Sequence, residues 1–357
     1  MVSFPNFVRL LMFMHLIPSP RFLRASVAAV ALFAGTQAHA FDADETASMN
    51  LIEENDSYGN DVDKHYTQGL RLAFASGETA AGKRADLADL LLLLPKTASA
   101  SSGYRYGVFV GQSIFTPTDI ADSTPDPNDR PYAGWLYAGA TLYRQSGNVL
   151  DRAEITIGIV GPSAQGEEVQ NAWHDATRGF LNLDRVQGWD AQLHDELGIV
   201  LTEERKWRFA GTAGRYEVDV VPEVNVSLGN IFTYAAAGGL VRFGRHLAVD
   251  WGPPRVQPAL AGSDFVNVQA LGGDGFAWYA FAGTEARLVA RNIFLDGNTF
   301  QDSASVTRKP FVADLTAGVT AVFQHGRATL SYVRRSEEFT TQDGYDQFLS
   351  ISLAFLW

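Results

Sequence analysis

The chain has 357 residues, a net charge of -12, no cysteine and a charged-residue content of only 19%. Its low charge and its 33 glycines argue against a disordered or coiled-coil protein, and the excess of 40 acidic over 28 basic residues argues against duplex nucleic acid as a partner. Without cysteine, any metal site has to use oxygen or imidazole ligands.

The first forty residues have the pattern of a secretory signal peptide. Arg21 and Arg24 precede an apolar run over residues 25–34, and Ala38-His39-Ala40 supplies an A-x-A cleavage pattern. A membrane span needs about 20 apolar residues, and this run is shorter. We therefore predict a cleaved signal over residues 1–40 and a single domain over residues 41–357.

The rest of the chain alternates with the period of a β-strand. At the C-terminus the large apolar residues share one parity and small or polar residues share the other, which predicts a strand with two different environments. The apolar set is Leu349, Ile351, Leu353, Phe355 and Trp357. Similar stretches predict twelve strands, near 47–56, 64–76, 103–114, 131–144, 151–161, 198–204, 207–228, 231–244, 276–290, 310–323, 327–338 and 346–357.

These features predict an all-β fold, a transmembrane antiparallel β-barrel of about 12 strands in the cell outer membrane. A closed barrel satisfies every backbone group within lipid, and an even strand number and an aromatic-rich exterior suit it. A soluble β-sandwich or a lipocalin-like barrel would show the same alternation. The signal peptide, the strand count and the terminal aromatic residue favour the membrane barrel.

Strand parity assigns the connections to the two sides of the membrane. With both chain ends in the periplasm, the connections after odd-numbered strands lie outside the cell. Residues 77–102 and 245–275 then lie on the periplasmic side, although they are longer than the usual short turns there. Residues 85–94 of the first of these have an apolar, helical pattern.

Three polar segments fall at the predicted extracellular rim, over residues 53–56 with 65–69, residues 128–135 and residues 160–174. The last predicts a short helix in an extracellular loop, in which Gln170 and His174 share one face. A Gln one turn from a His can orient the imidazole of a general base. The alternatives are a solvated His on a loop helix and, for Asn55-Asp56, an ordinary turn.

Taken together, the rim segments resemble the outer-membrane lipid A 3-O-deacylase family. The resemblance covers nearly all of residues 41–357, and its strongest part is the ungapped run G-P-x-A-x-G-x-E-V-Q-N-x-x-H from Gly161 to His174. Shorter matches are Glu54-Asn55-Asp56, Tyr66-Thr67-Gln68-Gly69-Leu70, Asp129-Arg130-Pro131-Tyr132-Ala133-Gly134-Trp135 and Gly188-Trp189-Asp190. Such proteins are twelve-stranded barrels that remove an acyloxyacyl group from lipid A with calcium.

The resemblance implies a substrate, a cofactor and site residues. The substrate would be lipid A of lipopolysaccharide, cleaved by a membrane-embedded monomer that releases the 3'-linked acyloxyacyl group. A neutral His would take a proton from water, and Ca²⁺ on oxygen ligands would stabilise the oxyanion. The implied catalytic residues are His174, Asn55, Thr67 and Gln170, and the implied metal ligands are Asp56 and Asp184.

The sequence departs from the family pattern at the second acidic ligand. That ligand lies in a Gly-x-Glu context after the His, whereas residues 175–181 contain no Glu. Asp175 and Asp184 are the acidic residues near that position, and Asp184 is taken as the second ligand. The alternative functions are a non-catalytic barrel, either a narrow pore or a structural protein, and an outer-membrane phospholipase, which would use the same His and calcium chemistry.

Overall fold

The computed structural model describes residues 46–57, 64–78, 102–177 and 186–357. The predicted signal peptide, the apolar stretch 85–94 and Asp184 lie outside these ranges. The strands are β1 Ser48–Asn55, β2 His65–Ala75, β3 Gly103–Thr116, β4 Ala133–Ser146, β5 Val149–Val160, β6 Glu196–Trp207, β7 Phe209–Ala213, β8 Tyr216–Gly229, β9 Phe232–Arg245, β10 Phe276–Asn292, β11 Phe311–Phe323, β12 Gly326–Arg335 and β13 Asp346–Leu356. The α-helices are α1 Gly166–Thr177 and α2 Ile293–Asp296.

The strands form one closed antiparallel barrel. β1 pairs with both β2 and β13, and β8 pairs with both β6 and β7, so the sheet closes on itself. β7 continues β6 along the same edge of β8, and the two act as one interrupted strand. The barrel therefore has twelve strand positions, and the predicted fold class is confirmed.

The prediction of a single strand over 207–228 is wrong, because this range contains two strands, β7 and β8, with a turn between them. Residues 209–213 complete the sixth strand position, and Gly214 and Arg215 form a tight turn into β8. Gly214 has a φ of 65°, a left-handed conformation that suits glycine. The alternation of side chains runs through such a two-residue turn with little interruption, which is why the pattern alone joined the two strands.

The parity prediction is confirmed on the outer surface. Ile351, Leu353 and Phe355 of β13 are each more than a third exposed, while Ser350 and Ser352, which alternate with them, are buried. Leu201 and Leu228, directly opposite each other on β6 and β8, are more than half exposed in the same way. Apolar side chains thus face lipid, and small or polar side chains face the barrel interior.

The interior contains ion pairs between residues that are directly opposite each other on neighbouring strands. Arg152 is opposite Glu204 and its Nη2 lies 3.1 Å from Oε2, and Arg335 is opposite Asp314 with Nε 2.9 Å from Oδ1. All four side chains are buried. Charges buried away from water require such pairing, and the strand register places the oppositely charged side chains next to each other inside the barrel.

Short turns connect the strands at one end, at 147–148, 214–215 and 324–325, and at the other end the connections are longer loops except for the two-residue connection 230–231. Short turns mark the periplasmic end of such barrels. Aromatic side chains collect there, with the rings of Tyr216 and Phe243 5.0 Å apart and those of Phe74 and Trp357 6.0 Å apart. The C-terminal Trp357 therefore belongs to the inner aromatic girdle. Among the described residues, no helix is both long enough and apolar enough to cross a membrane.

One connection at the periplasmic end does not form a turn. Residues 246–275, named here the lumen segment, enter the barrel and return, a placement that the prediction of a long periplasmic connection did not anticipate. Near the periplasmic end, Asp250 contacts Arg242 and Arg327 of the wall. Farther up, the carbonyl oxygen of Pro258 accepts hydrogen bonds from Arg287 and Arg335. The interior charges of the wall thus bind the lumen segment in place.

Candidate functional site

Helix α1 lies against the outward face of the barrel wall at the extracellular end. Gly134 of β4 faces outward, and a Cβ built on it would lie 3.1 Å from the nitrogen of Gly166, the first residue of α1. The side-chain nitrogen of Gln112 on β3 donates to the carbonyl of Ala164, at 2.6 Å, just before the helix. The helix therefore covers wall positions that would otherwise face lipid.

The predicted helix face is confirmed. Gln170 and His174 are buried, whereas Glu167, Glu168 and Asp175 on the opposite side are exposed. Both buried side chains point to the side of α1 that packs on the wall, because residues four apart share a face. The imidazole is thus buried on the same helix face as the Gln170 side chain.

Trp189 fixes the position of Gln170. Its indole Nε1 donates to the Gln170 Oε1 at 3.1 Å, and its ring lies against Gly166, where a Cβ would fall 2.6 Å from the ring. Trp189 belongs to a buried cluster with Ile114, Tyr132 and Val186, on which Val169 of α1 packs. This cluster joins the helix to the wall through apolar burial.

Asn55 lies on the same outward face, at the outer end of β1. Its neighbour Glu54 points into the barrel, so alternation along the strand turns Asn55 outward. The Asn55 Oδ1 accepts hydrogen bonds from the backbone N–H of Ser57, at 2.9 Å, and from the Ser57 hydroxyl. Asn55 therefore caps the turn after β1, which is the turn role considered for it on the sequence.

Asp56 follows directly and is buried. Its Oδ2 accepts from the backbone N–H of Lys64 at 2.6 Å, and its own N–H donates to the Thr67 carbonyl at 3.4 Å. The carboxylate is therefore held at the junction of the first two strands.

Thr67 occupies a bulge in β2, where the pairing with β3 shifts between Tyr66 and Gln68. The extra residue turns its hydroxyl toward the wall's outer side, where Thr67 Oγ1 and Thr116 Oγ1 are 2.7 Å apart. A bulge re-aims a side chain that strict alternation would send elsewhere.

One row of paired residues links these groups across four strands. Asn55 pairs with Gln68, Gln68 with Ile114, and Ile114 with Gly134, against which α1 packs. Three strand spacings of about 4.8 Å place the two ends of this row about 14 Å apart. The structure thus brings Asn55, Asp56, Thr67, Gln170 and His174 to one side of one rim, and Asp184 lies outside the described residues.

The acceptors in this region are of the kind that calcium prefers. Asp56 supplies a buried carboxylate, and its backbone N–H bonds to the carbonyl oxygen of Thr67, whose hydroxyl bonds to Thr116. Across the ranges that the structure describes, no three His, Asp or Glu side chains form a metal cluster. A hard cation therefore fits the donor type at Asp56.

The extracellular loops above the rim are tied together by a second polar group around His65. Its Nδ1 lies 2.7 Å from Asp346 Oδ1 and its Nε2 3.5 Å from Asp129 Oδ1, which joins three loops. Burial alone would raise the pKa of Asp129, but the hydrogen bonds from His65 and from the Thr118 backbone lower that pKa well below its usual range. Asp129 is thus a charged anchor for the loops.

Sequence reasoning did not identify the roles of Trp189, Gly134 and Gly69. Trp189 stood in a quoted motif, and the two glycines stood in others, but only packing shows what they contact. A Cβ on Gly69 would lie 1.9 Å from the Tyr66 hydroxyl oxygen, so this glycine makes room for the Tyr66 ring inside the barrel.

Comparisons with known proteins agree with this architecture. A family model described as "Outer membrane protein LpxR" matches residues 23–357. The structure of LpxR from Salmonella typhimurium is similar with a TM-score of 0.68 and 22% identity, over 86% of this chain and 99% of that one.

Two autotransporter structures also match, with lower scores. The β domain of BrkA from Bordetella has a TM-score of 0.39 at 12% identity, covering 87% of this chain and 97% of that one. The translocator domain of NalP from Neisseria meningitidis has 0.36 at 11%, covering 93% and 97%. No curated protein matches the sequence.

Proposed function

Because this chain belongs to the LpxR family of outer membrane proteins, we propose that it is a lipid A 3-O-deacylase, a carboxylic ester hydrolase that removes the 3'-linked acyloxyacyl group in the outer leaflet. One observation supports this proposal most strongly. Polar side chains, among them Asn55, Gln68 and Gln112, lie buried on the outward wall at the extracellular end, where a simple barrel would present apolar residues to lipid.

The proposed reaction begins with proton transfer to His174. Its neutral imidazole takes a proton from water, and the resulting hydroxide attacks the ester carbonyl carbon. Gln170, fixed by Trp189, holds this end of the helix in place. The protonated imidazole then gives its proton to the leaving sugar oxygen, so that a free acid and a hydroxyl group result.

Asn55 and Thr67 have a supporting role in the proposal. They frame the other side of the same wall face and orient the acyl ester toward the helix. Calcium, if held by Asp56 with Asp184, would supply Lewis-acid stabilisation of the oxyanion. The positions of Asn55 and Thr67 are fixed by Ser57 and Thr116, respectively.

Two alternative functions, a narrow pore and a phospholipase, are weighed against this proposal on different grounds. A narrow pore receives no support, because the lumen segment and buried ion pairs occupy the interior. A phospholipase would use the same chemistry on a different ester. Membership of the LpxR family favours lipid A as the substrate.

Mass spectrometry of lipid A tests the proposal. Lipid A from cells that express the chain should lose a 3'-linked acyloxyacyl group, and His174→Ala and Asp56→Ala should each prevent this loss. General-base removal should lower the rate by about 10²- to 10⁴-fold. A chelator should act as Asp56→Ala does. Unchanged lipid A alongside released phospholipid fatty acid would instead identify a phospholipase.

A further inference from the structure

The tip of the lumen segment contacts β1 at the residue that precedes Asn55 and Asp56. Along β1, Glu54 points into the barrel and Asn55 points out, so one backbone connects the interior to the proposed site. Glu54 is 1% exposed. Its position therefore depends on the groups that meet it inside the barrel.

Three donors surround the Glu54 carboxylate. Oε1 accepts from the Arg255 guanidinium and from the backbone N–H of Val256, the latter at 3.3 Å, and Oε2 accepts from the Tyr66 hydroxyl at 3.0 Å. Arg255 and Val256 form the tip of the lumen segment. Gly69 of β2 is the strand partner of Glu54, and the space left by its missing side chain lets the Tyr66 hydroxyl reach the Glu54 carboxylate.

Arg255 is the only one of these three donors that carries a positive charge. A buried carboxylate that loses its paired cation is poorly solvated in the interior, which favours its displacement toward water. Glu54 lies one residue before the end of β1 at Asn55, so a displacement of its carboxylate pulls on the end of that strand. Loss of Arg255 therefore acts directly on the backbone that carries Asn55 and Asp56.

We propose that Arg255 is a positioning residue for the outward Asn55-Asp56 pair, so that a segment inside the barrel orders a site on its outer wall. The inference rests on the proposed function for its effect on catalysis. Its geometric part, the ordering of the end of β1 by the lumen segment, stands independently and has its own measurement.

The chain offers a matched control. Arg327 of β12 is also buried and also links the wall to the lumen segment, through Asp250 at 3.1 Å, but beside it lies Asn50 of β1 rather than Glu54. Asn50 and Glu54 are four residues apart, about 13 Å along the strand. Arg327→Gln and Arg255→Gln thus remove the same charge at opposite ends of β1.

A thiol introduced after the site measures the positioning itself. The chain has no cysteine, and the Ser57 hydroxyl is buried and bonded to Asn55. In a Ser57→Cys background, Arg255→Gln should raise the rate of maleimide labelling about tenfold, while Arg327→Gln should change it less than twofold. Heat-modified migration on gels confirms that each barrel is folded.

Activity measures the consequence. With lipid A in detergent micelles, Arg255→Gln should lower kcat about tenfold with KM within twofold of the wild-type value. Arg255→Lys should restore most of kcat. The double variant Glu54→Gln with Arg255→Gln should have a kcat no lower than that of Arg255→Gln alone. Equal labelling and equal kcat in the Arg255 and Arg327 variants would overturn the inference. An inactive wild type with the labelling difference intact would instead overturn the proposed function.

Discussion

At the residue scale, the hydrogen bond between Trp189 and Gln170 fixes the orientation of the Gln170 side chain. Gln170 lies one turn from His174, and its oxygen is held by an indole that comes from a separate loop. In the proposed reaction His174 is the general base, and a side chain near it assists catalysis only if its own orientation is fixed. Trp189 supplies that constraint together with apolar packing.

Trp189→Phe tests this role because it removes the N–H donor and keeps most of the ring. We expect kcat for deacylation to fall about tenfold, a small part of the 10²- to 10⁴-fold that a general base contributes. The assay is release of acyl groups from lipid A. Trp278→Phe, in the periplasmic aromatic girdle, is the control and should retain wild-type activity. Equal activities in the two variants would contradict the role of Trp189.

At the scale of elements, the site depends on how closely α1 approaches the wall. The approach is possible because Gly134 of β4 and Gly166 of α1 both lack a side chain at the contact. Motif analysis of the sequence found the helix and its face correctly. The surface on which the helix packs could not be predicted, because strand pairing alone does not say which outward positions are covered.

Gly134→Ala is expected to displace the helix. Its new Cβ would lie 3.1 to 3.2 Å from Gly166 and Ala164, so α1 has to shift by a few tenths of an ångström. We expect a loss in kcat of about tenfold, since a displacement of about 1 Å can cost about 10²-fold. Gly211→Ala, where the nearest atom is 4.0 Å away, should be neutral in the same assay. A fully active Gly134→Ala variant would show that close packing is not required.

A second prediction at this scale concerns the contact between two extracellular loops. Arg130 lies 3.2 Å from Glu338, and both are buried. Burial by itself would raise the pKa of Glu338, but Arg130 and Arg335 outweigh it and hold the pKa below its ordinary value. The stabilisation from this carboxylate is therefore present above its ordinary pKa and is lost as pH falls through the lowered one.

Glu338→Gln should accordingly destabilise the protein at pH 7 by about 3 kcal/mol, the cost typical of breaking a buried ion pair. Urea unfolding in detergent micelles, followed by tryptophan fluorescence, provides the measurement. The difference from wild type should shrink as pH falls below about 4.5, because the carboxyl of the unfolded wild-type chain takes up a proton there and the folded one follows at its lowered pKa. A difference that stays constant down to pH 3 would show that charge is not its source.

At the scale of the whole molecule, the lumen segment determines what the barrel can transport. A twelve-stranded barrel without an internal segment is wide enough to leave space between the side chains of its walls. Here Asp250 and Asp264 of the lumen segment pair with Arg242 and Arg71 of the wall. The interior is therefore a packed polar core rather than a channel.

Replacing residues 252–262 by a two-residue Gly-Ser linker should open the barrel. The linker can close the gap because the backbone N–H of Trp251 already donates to the Ser263 hydroxyl, at 3.3 Å. In planar bilayers we expect single-channel conductance to rise about tenfold or more over the intact protein, as expected when a filled barrel loses its contents. Arg327→Gln, which keeps the segment, should leave conductance low. Unchanged conductance in the shortened protein would mean that the wall side chains alone close the lumen.

The sequence by itself determined the local features of this protein. Alternation of residues such as Leu349 to Trp357 specified strands, their parity specified an outward apolar face, and the spacing of Gln170 and His174 specified a helix face. These properties depend on side chains near each other along the chain, and a single sequence records them directly.

Only the tertiary structure decided the features that join distant parts of the chain. The entry of the lumen segment, the contact of Arg255 with Glu54 and the seating of α1 on Gly134 all unite residues separated by tens to hundreds of positions. Such contacts depend on barrel closure and on which buried charges find a partner, and neither has a periodic signal in the sequence. The turn within 207–228 was not predicted for a related reason. Alternation continues across a two-residue turn, and only the pairing with β8 shows where one strand ends.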